Sequence, residues 1–194
     1  MNTLATLSQH TVLWLALVVT LFAPMVGVAL IGITTMLSDR APSEARVVRI
    51  TTSALSASVV GSLVVLSAFL GVFGAPVRGE VEFGDWLRVD DFVMPAVLLV
   101  DNISVTISLF AALLTALIAR FSSTYLHKEP GFNRFFALLG VFATGTQLVA
   151  LAGALELFFA GWELIGISSA LFIGFFHERA EPVRSSVRAF ATTD

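Results

Sequence analysis

The sequence predicts an all-α integral membrane protein with five transmembrane helices, and three observations lead to that prediction. Hydrophobic residues make up 57% of the 194 residues and charged residues 13%, about half the charged share of a soluble domain. The apolar residues come in long uncharged blocks, and the mean hydropathy of the chain is +0.91. The basic residues are concentrated in alternate connections between the blocks. This pattern is typical of a chain that crosses a bilayer repeatedly.

Five stretches are long enough to cross a membrane, because about 20 helical residues cover the roughly 30 Å of hydrocarbon. They comprise residues 11–37, 50–77, 103–119, 135–155 and 157–176. The first contains Pro24, which we expect to kink it, and a membrane helix tolerates proline when a neighbour satisfies the freed carbonyl. This stretch exceeds a signal peptide in length and has no basic residue before Arg40. We therefore interpret it as a retained helix.

Charges in the connections predict the orientation. Two connections and the segment after the fifth stretch hold nine of the eleven basic residues: Arg40, Arg46, Arg49, Arg120, Lys128, Arg134, Arg179, Arg184 and Arg188. The connection at residues 78–91 holds the other two and five acids. By the positive-inside rule the N-terminus is outside, and residues 177–194 form a cytoplasmic tail. We expect residues 1–194 to form a single membrane domain of a multi-pass protein in a bacterial inner (plasma) membrane.

Several classes of function are disfavoured by composition and motifs. The chain has no cysteine and three scattered histidines, which argues against disulfides, iron–sulfur ligation and a histidine metal cage. Glycine-rich nucleotide loops, nucleophile elbows and basic–aromatic patches for nucleic acid are absent from the sequence. We therefore expect no enzymatic activity, no metal or cofactor and no nucleic-acid partner. We expect the lipid bilayer to surround the protein.

Glu163 is the one acidic residue well inside a predicted span. It lies six residues after Leu157, which places its Cα roughly 9 Å below the outer end of that span. Acids at such depth are costly and usually face a protein interior or a water-filled cavity. One interpretation is a proton-carrying site, and the other is a structural hydrogen bond between helices. We favour the first, because a glutamine would join helices at a smaller desolvation cost.

Two further polar residues are candidates for the same pathway. Gln147 lies eight residues before Leu155, at a depth similar to that of Glu163 if the two helices are antiparallel, so we expect the two side chains to be able to share a hydrogen bond. Asp101 precedes Asn102, Ile103 and Ser104. This pattern favours a helix N-cap over a proton-entry role.

The stretch from residue 84 to residue 190 resembles the N-terminal part of the antiporter-like proton-translocating subunits. That family includes the largest antiporter-type subunit of respiratory complex I and relatives in multisubunit Na⁺/H⁺ antiporters. The matching features are Asp101 with the three residues after it, Tyr125-Leu126, Glu129, Gly131, Arg134 followed by two phenylalanines, and Gly161-Trp162-Glu163 ahead of a Gly- and Ser-rich helix. Residues 174–190 resemble the DabB-type branch, whose members partner a large DabA-type subunit in inorganic-carbon uptake.

The resemblance implies a role for Glu163 as the first acidic element of a proton path. In the family this glutamate pairs with a lysine two helices later, whereas the chain ends before a next helix and its five predicted spans contain no lysine or arginine. The leading prediction is therefore a proton-translocating subunit, or its N-terminal portion, that energises CO₂ or bicarbonate uptake with a DabA-type partner. The alternatives are an antiporter-like subunit of complex I or of a Na⁺/H⁺ antiporter, with other membrane subunits as partners, and a non-conducting structural membrane adaptor.

Overall fold

The computed structural model describes residues 2–37, 41–90 and 92–175 and contains five helices and one hairpin in these ranges. The helices are α1 (Asn2–Met36), α2 (Glu44–Phe69), α3 (Asn102–Tyr125), α4 (Phe132–Leu151) and α5 (Leu155–Ile173), and the strands are β1 (Gly79–Val89) and β2 (Phe92–Val100). Each helix contains a segment long and apolar enough to span a membrane. The prediction of a five-span membrane protein is confirmed.

The helix ends differ from the sequence prediction, mainly because charged residues lie inside the terminal turns. α2 begins at Glu44 and includes Arg46, whereas the sequence analysis began this span at residue 50. α3 continues past Arg120, and α4 includes Arg134 in its first turn. Long basic side chains at helix ends reach water while their aliphatic stems remain against apolar surface. Counting uncharged residues alone therefore made some of the predicted spans too short at these ends.

The second predicted span was also wrong at its other end. It ran to residue 77, but α2 ends at Phe69. Gly71 and Gly74 have φ values of +77° and +142°, a region that residues with a side chain rarely adopt. Pro76 follows them and cannot supply a helical N–H. The chain therefore leaves the helix in this apolar stretch.

The β-hairpin was missed by the sequence analysis, which treated residues 78–91 as a connection only. β1 and β2 are antiparallel, with Gly79 opposite Val100 and Val89 opposite Phe92. The hairpin also touches the turn between α4 and α5. Gly153 N–H donates to the Val97 carbonyl oxygen at 2.9 Å. The hairpin and this turn therefore lie at the same end of the bundle.

The opposite end is held by contacts between the α1–α2 and α3–α4 connections. Glu44 Oε2 lies 2.6 Å from His127 Nδ1, and Glu44 Oε1 accepts the Lys128 N–H at 3.0 Å. Asn133 Nδ2 donates to the Pro42 carbonyl oxygen at 3.2 Å. The alternation of connections that the charge pattern requires is thus present. Which end faces the cytoplasm stays a prediction, and the tail at residues 177–194 lies outside the described residues.

Two apolar clusters occupy the two ends of the bundle interior. The cluster near the hairpin includes Leu17, Val100 and Leu151, and the other includes Leu55 and Phe136. Between the members of the two clusters on α2, α3 and α4 lie buried polar residues: Ser58, Ser62, Ser108, Thr144 and Gln147. The interior therefore has a polar layer between two apolar ones.

Candidate functional site

Glu163 lies near the middle of α5 and points away from the rest of the described bundle. It is eight residues after the first residue of the helix and ten before the last, which corresponds to about 12 and 15 Å along the axis. Its side chain is exposed, as are those of Phe159 and Ile167 one turn away on either side. The opposite face of α5 is buried at Gly161 and Ser168. Among the described residues Glu163 has no hydrogen-bond or ion-pair partner.

The position of Glu163 is energetically unfavourable if lipid is its only neighbour. A charged side chain at the centre of a membrane helix costs about 2.5 kcal/mol or more. α5 packs mainly on α4, with small contacts to the hairpin, so neither element covers this face. A polar group that approached this face from outside the described helices would lower that cost.

Gln147 is buried, and its partner is Ser108 on α3. The Ser108 Oγ–H donates to Gln147 Oε1 at 2.6 Å, and Gln147 Nε2–H donates to the Ser108 carbonyl oxygen at 2.9 Å. The hydrogen bond that the sequence analysis expected between Gln147 and Glu163 is not formed. The reason is helix rotation: α4 and α5 meet at Gly145 and Gly161, and each polar residue follows its glycine by two positions, about 200° around the helix. Both side chains therefore point away from the α4–α5 contact.

Further buried polar contacts lie beside the Gln147–Ser108 pair. The hydroxyl oxygens of Ser108 and Ser62 are 3.3 Å apart, and the single proton of the Ser62 hydroxyl can go either to Ser108 Oγ or to the Ser58 carbonyl oxygen at 3.0 Å. Ser58 Oγ–H then donates to the Thr20 carbonyl oxygen at 2.7 Å. Sequence reasoning missed Ser58, Ser62 and Ser108, although small polar residues inside apolar spans are the signal for interhelical hydrogen bonds. Together these contacts link α1 to α2, α2 to α3 and α3 to α4.

Asp101 is the N-cap of α3. Its Oδ1 accepts the backbone N–H groups of Ile103 and Ser104 at 2.9 and 2.7 Å, and the Asp101 N–H donates to Ser104 Oγ at 2.9 Å. These contacts form a capping box. The Ser104 backbone N–H, followed by its hydroxyl, holds the pKa of the Asp101 carboxyl below its ordinary value of 3.8. Asp101 is therefore engaged with the start of α3.

In the part of the chain that the structure describes, no three His, Asp or Glu side chains are grouped so that they could hold a metal ion. An apolar cavity of about 360 Å³ lies between α1, the hairpin and α5, lined by residues such as Phe22, Phe83 and Leu164. It contains no ionisable side chain. Glu163 and the buried polar residues therefore remain the features that could take part in proton chemistry.

Taken together, the five spans and their intramembrane carboxylate define a multi-pass membrane protein. Comparison with known proteins identifies its class further. Residues 86–136 match the family described as NADH-ubiquinone oxidoreductase (complex I), chain 5 N-terminus. The matched region comprises the end of β1, β2, α3 and the start of α4, and it is similar to the N-terminal part of that antiporter-like chain.

Individual relatives agree with this assignment. NADH-quinone oxidoreductase subunit L of Escherichia coli (strain K12) is 32% identical over 69% of this chain and 22% of its own length. The chloroplastic NAD(P)H-quinone oxidoreductase subunit 5 of Nephroselmis olivacea is 30% identical over 94% of this chain and 27% of its own length. NADH-quinone oxidoreductase subunit L of Pseudomonas aeruginosa is 32% identical over 72% of this chain and 24% of its own length. The chain spans about a quarter of the length of these relatives. The prediction of a multi-pass inner-membrane protein is confirmed.

Proposed function

We propose that the chain is an antiporter-like, proton-translocating membrane subunit of an assembly related to complex I, and that Glu163 is an ionisable group on its proton path. The observation that supports this most is the position of Glu163, near mid-span on α5 and without a partner among the described residues. The similarity to subunit L and subunit 5 of NADH- and NAD(P)H-quinone oxidoreductases adds independent support. The redox chemistry of such an assembly would belong to other subunits.

The chemistry available to Glu163 follows from its surroundings. A carboxyl group can bind and release a proton. A partner that approaches the outward face of α5 could therefore exchange a proton with Glu163. Gln147 has no titratable proton and both ends of its amide are engaged with Ser108. Its place on the proton path stays a prediction.

The orientation in the membrane is part of the proposal. The N-terminus lies outside, and the end of the bundle with Glu44 and His127 faces the cytoplasm, because the connections and helix ends there hold six of the eleven basic residues. The hairpin, with Glu80, Glu82 and Asp85, lies on the outer side. Residues 1–194 then act as one membrane domain, with residues 177–194 as its cytoplasmic tail.

The leading prediction of the sequence analysis, inorganic-carbon uptake with a DabA-type partner, remains a second candidate. The observation that favours it is the resemblance of residues 174–190 to DabB-type subunits. Against it, the relatives described above are oxidoreductase subunits, which favour the complex I alternative. The structural-adaptor interpretation is disfavoured by the mid-span carboxylate, because an adaptor has no need for a costly ionisable group.

Purification of the tagged protein from its native membranes tests the proposal. We expect flavin- and iron–sulfur-containing subunits to co-purify, together with NADH-driven proton pumping in reconstituted vesicles. A large DabA-type protein in their place would establish the carbon-uptake candidate. A purified assembly that moves no protons under either energy source would contradict both transport functions and establish the adaptor.

A further inference from the structure

Gln147 and Ser108 form a two-point connection between α4 and α3. The pair uses the carbonyl oxygen and the amino group of the amide, at 2.6 and 2.9 Å, and the two residues are only 1% and 2% exposed. A single hydrogen bond permits a helix to roll or slide. Two bonds at opposite ends of one rigid amide oppose both motions. The pair therefore opposes rotation and axial sliding of α4 against α3.

A second close contact fixes α5 on α4. A Cβ atom built on Gly161 would lie 2.8 Å from the Gly145 carbonyl oxygen, and one built on Gly145 would lie 2.9 Å from the Gly161 carbonyl oxygen. Because no side chain separates the backbones here, the two helices meet with little freedom to shift. Gln147 and Glu163 each lie two residues beyond the glycine of their own helix. α4 is therefore a short rigid link between Ser108 and Glu163.

We propose that Gln147 and Ser108 are positioning residues for Glu163: through α4 they set the depth and direction of the carboxylate on the outward face of α5. This inference rests on the proposed function of Glu163. The geometry favours positioning over proton transfer by the pair itself. The polar contacts of Ser108 with Ser62 and of Ser58 with Thr20 each connect neighbouring helices, which supports an anchoring role for this buried layer.

Distances between helices test the structural part directly. The chain has no cysteine, so paired spin labels can be placed at Leu113 of α3 and Leu171 of α5, both about half exposed. In the full-length protein in nanodiscs we expect Ser108→Ala and Gln147→Leu to broaden and shift the label–label distance distribution. Ser108→Thr retains the hydroxyl and should preserve the distribution. Unchanged distributions in both Ser108→Ala and Gln147→Leu would overturn the proposal.

The matched control for this measurement is Thr146→Ala. Thr146 is adjacent to Gln147, but its hydroxyl donates to the Ala143 carbonyl oxygen within α4 at 2.8 Å. Loss of that bond leaves the α3–α4 connection intact, so the distance distribution should match that of the parent protein. A shift in this variant as large as that in Gln147→Leu would show that any polar deletion in α4 moves α5, and it would overturn the specific role of the pair.

Proton pumping by the assembled complex tests the functional part. Ser108→Ala and Gln147→Leu should each lower the pumping rate on the order of tenfold, because small misplacements of a reacting group have effects of at least this size. Both should displace the pH profile of pumping in the same direction, and the double variant should be no worse than the more severe single variant. A change in protein amount alone would leave the pH profile in place and would overturn the positioning role.

Two further outcomes separate this inference from the proposed function. Loss of pumping in Gln147→Leu with normal pumping in Ser108→Ala would indicate a direct part for Gln147 in proton transfer, which overturns positioning and leaves the proposed function standing. Normal pumping in Glu163→Gln would overturn the proposed function and, with it, the functional part of the inference. The label distances would still decide the structural part.

Discussion

The hydroxyl of Ser58 in α2 donates a 2.7 Å hydrogen bond to the carbonyl oxygen of Thr20 in α1. Thr20 lies four residues before Pro24, so its carbonyl is the one that proline leaves without a helical N–H donor. Both Thr20 and Ser58 are buried, at 0% and 2% exposure, and lipid offers no replacement donor. The α1–α2 contact thus satisfies a group that α1 cannot satisfy alone.

We predict that Ser58→Ala destabilises the protein by about 1–3 kcal/mol, because it leaves a buried carbonyl unpaired. In a Pro24→Ala background the same change should have a smaller effect, since residue 24 then supplies the N–H. Denaturant titration of the purified protein in detergent, followed by helical circular dichroism, measures both effects. Ser67→Ala is the control, because that exposed hydroxyl bonds only to Leu63 of its own helix. Equal effects of Ser58→Ala in both backgrounds would contradict the explanation.

Replacement of Glu163 by glutamine separates its charge from its shape. We predict that Glu163→Gln abolishes proton pumping by the assembled complex while membrane insertion and assembly are retained, because glutamine cannot ionise. Glu163→Asp should be intermediate, since the carboxylate is kept but withdrawn by one methylene. If Glu163 only hydrogen-bonds to a neighbouring helix, the glutamine variant should pump normally. Pumping rates in vesicles, normalised to assembled complex, distinguish the two outcomes.

The close contact of α4 and α5 depends on the absence of a side chain at Gly161. Gly161→Ala should destabilise the protein by about 1–3 kcal/mol, because the new methyl group would meet the Gly145 carbonyl oxygen at 2.8 Å. Gly32→Ala in α1 is a matched control, since a Cβ there meets no atom within 4 Å. It should leave the free energy of unfolding unchanged or raise it slightly, because alanine favours helix. Similar losses in both variants would show that helix packing is not the cause.

The cap at the start of α3 depends on an ionised Asp101. We predict that Asp101→Ala destabilises the protein by about 1 kcal/mol and that Asp101→Asn has a mild effect, because asparagine caps a helix about as well as aspartate. The pKa of Asp101 is lowered in the folded protein. The charge-dependent part of the cap is therefore present above pH 3.8 and is lost as the pH falls through the lowered pKa.

Unfolding measured between pH 7 and pH 2 tests this dependence. The difference in stability between the parent protein and Asp101→Asn should shrink or reverse toward the acid end, because only the parent protein protonates at this position. A difference that is constant over the whole range would contradict the assigned role of the carboxylate.

Labelling of single engineered cysteines tests the orientation in the membrane, because the chain contains no cysteine of its own. We predict that cysteine at position 85, in β1, reacts with a membrane-impermeant maleimide from the outside, and that cysteine at position 127 reacts only from the cytoplasmic side. Asp85 and His127 lie in connections at opposite ends of the bundle. The reverse pattern would contradict the orientation inferred from the basic residues.

The number of spans and the alternation of the connections were determined by the sequence itself. Hydropathy is a sum over contiguous residues, and the exclusion of charge from about 30 Å of hydrocarbon constrains every helix independently. The N-cap at Asp101 was equally accessible, because a cap involves residues within three positions of each other. Local interactions of this kind can be predicted without knowing which residues are neighbours in space.

The partner of Gln147 and the exposure of Glu163 were decided by the tertiary structure alone. Similar depth in two adjacent spans suggested that these side chains meet, yet the contact of Gly145 with Gly161 rotates both away from the α4–α5 contact. Ser108, 39 residues before Gln147, takes its place. Rotation of a helix is set by packing against all its neighbours at once, and a shift of two residues turns a side chain by about 200°. Span length and charge carry no information about that angle, so only the packed structure determines which polar groups meet.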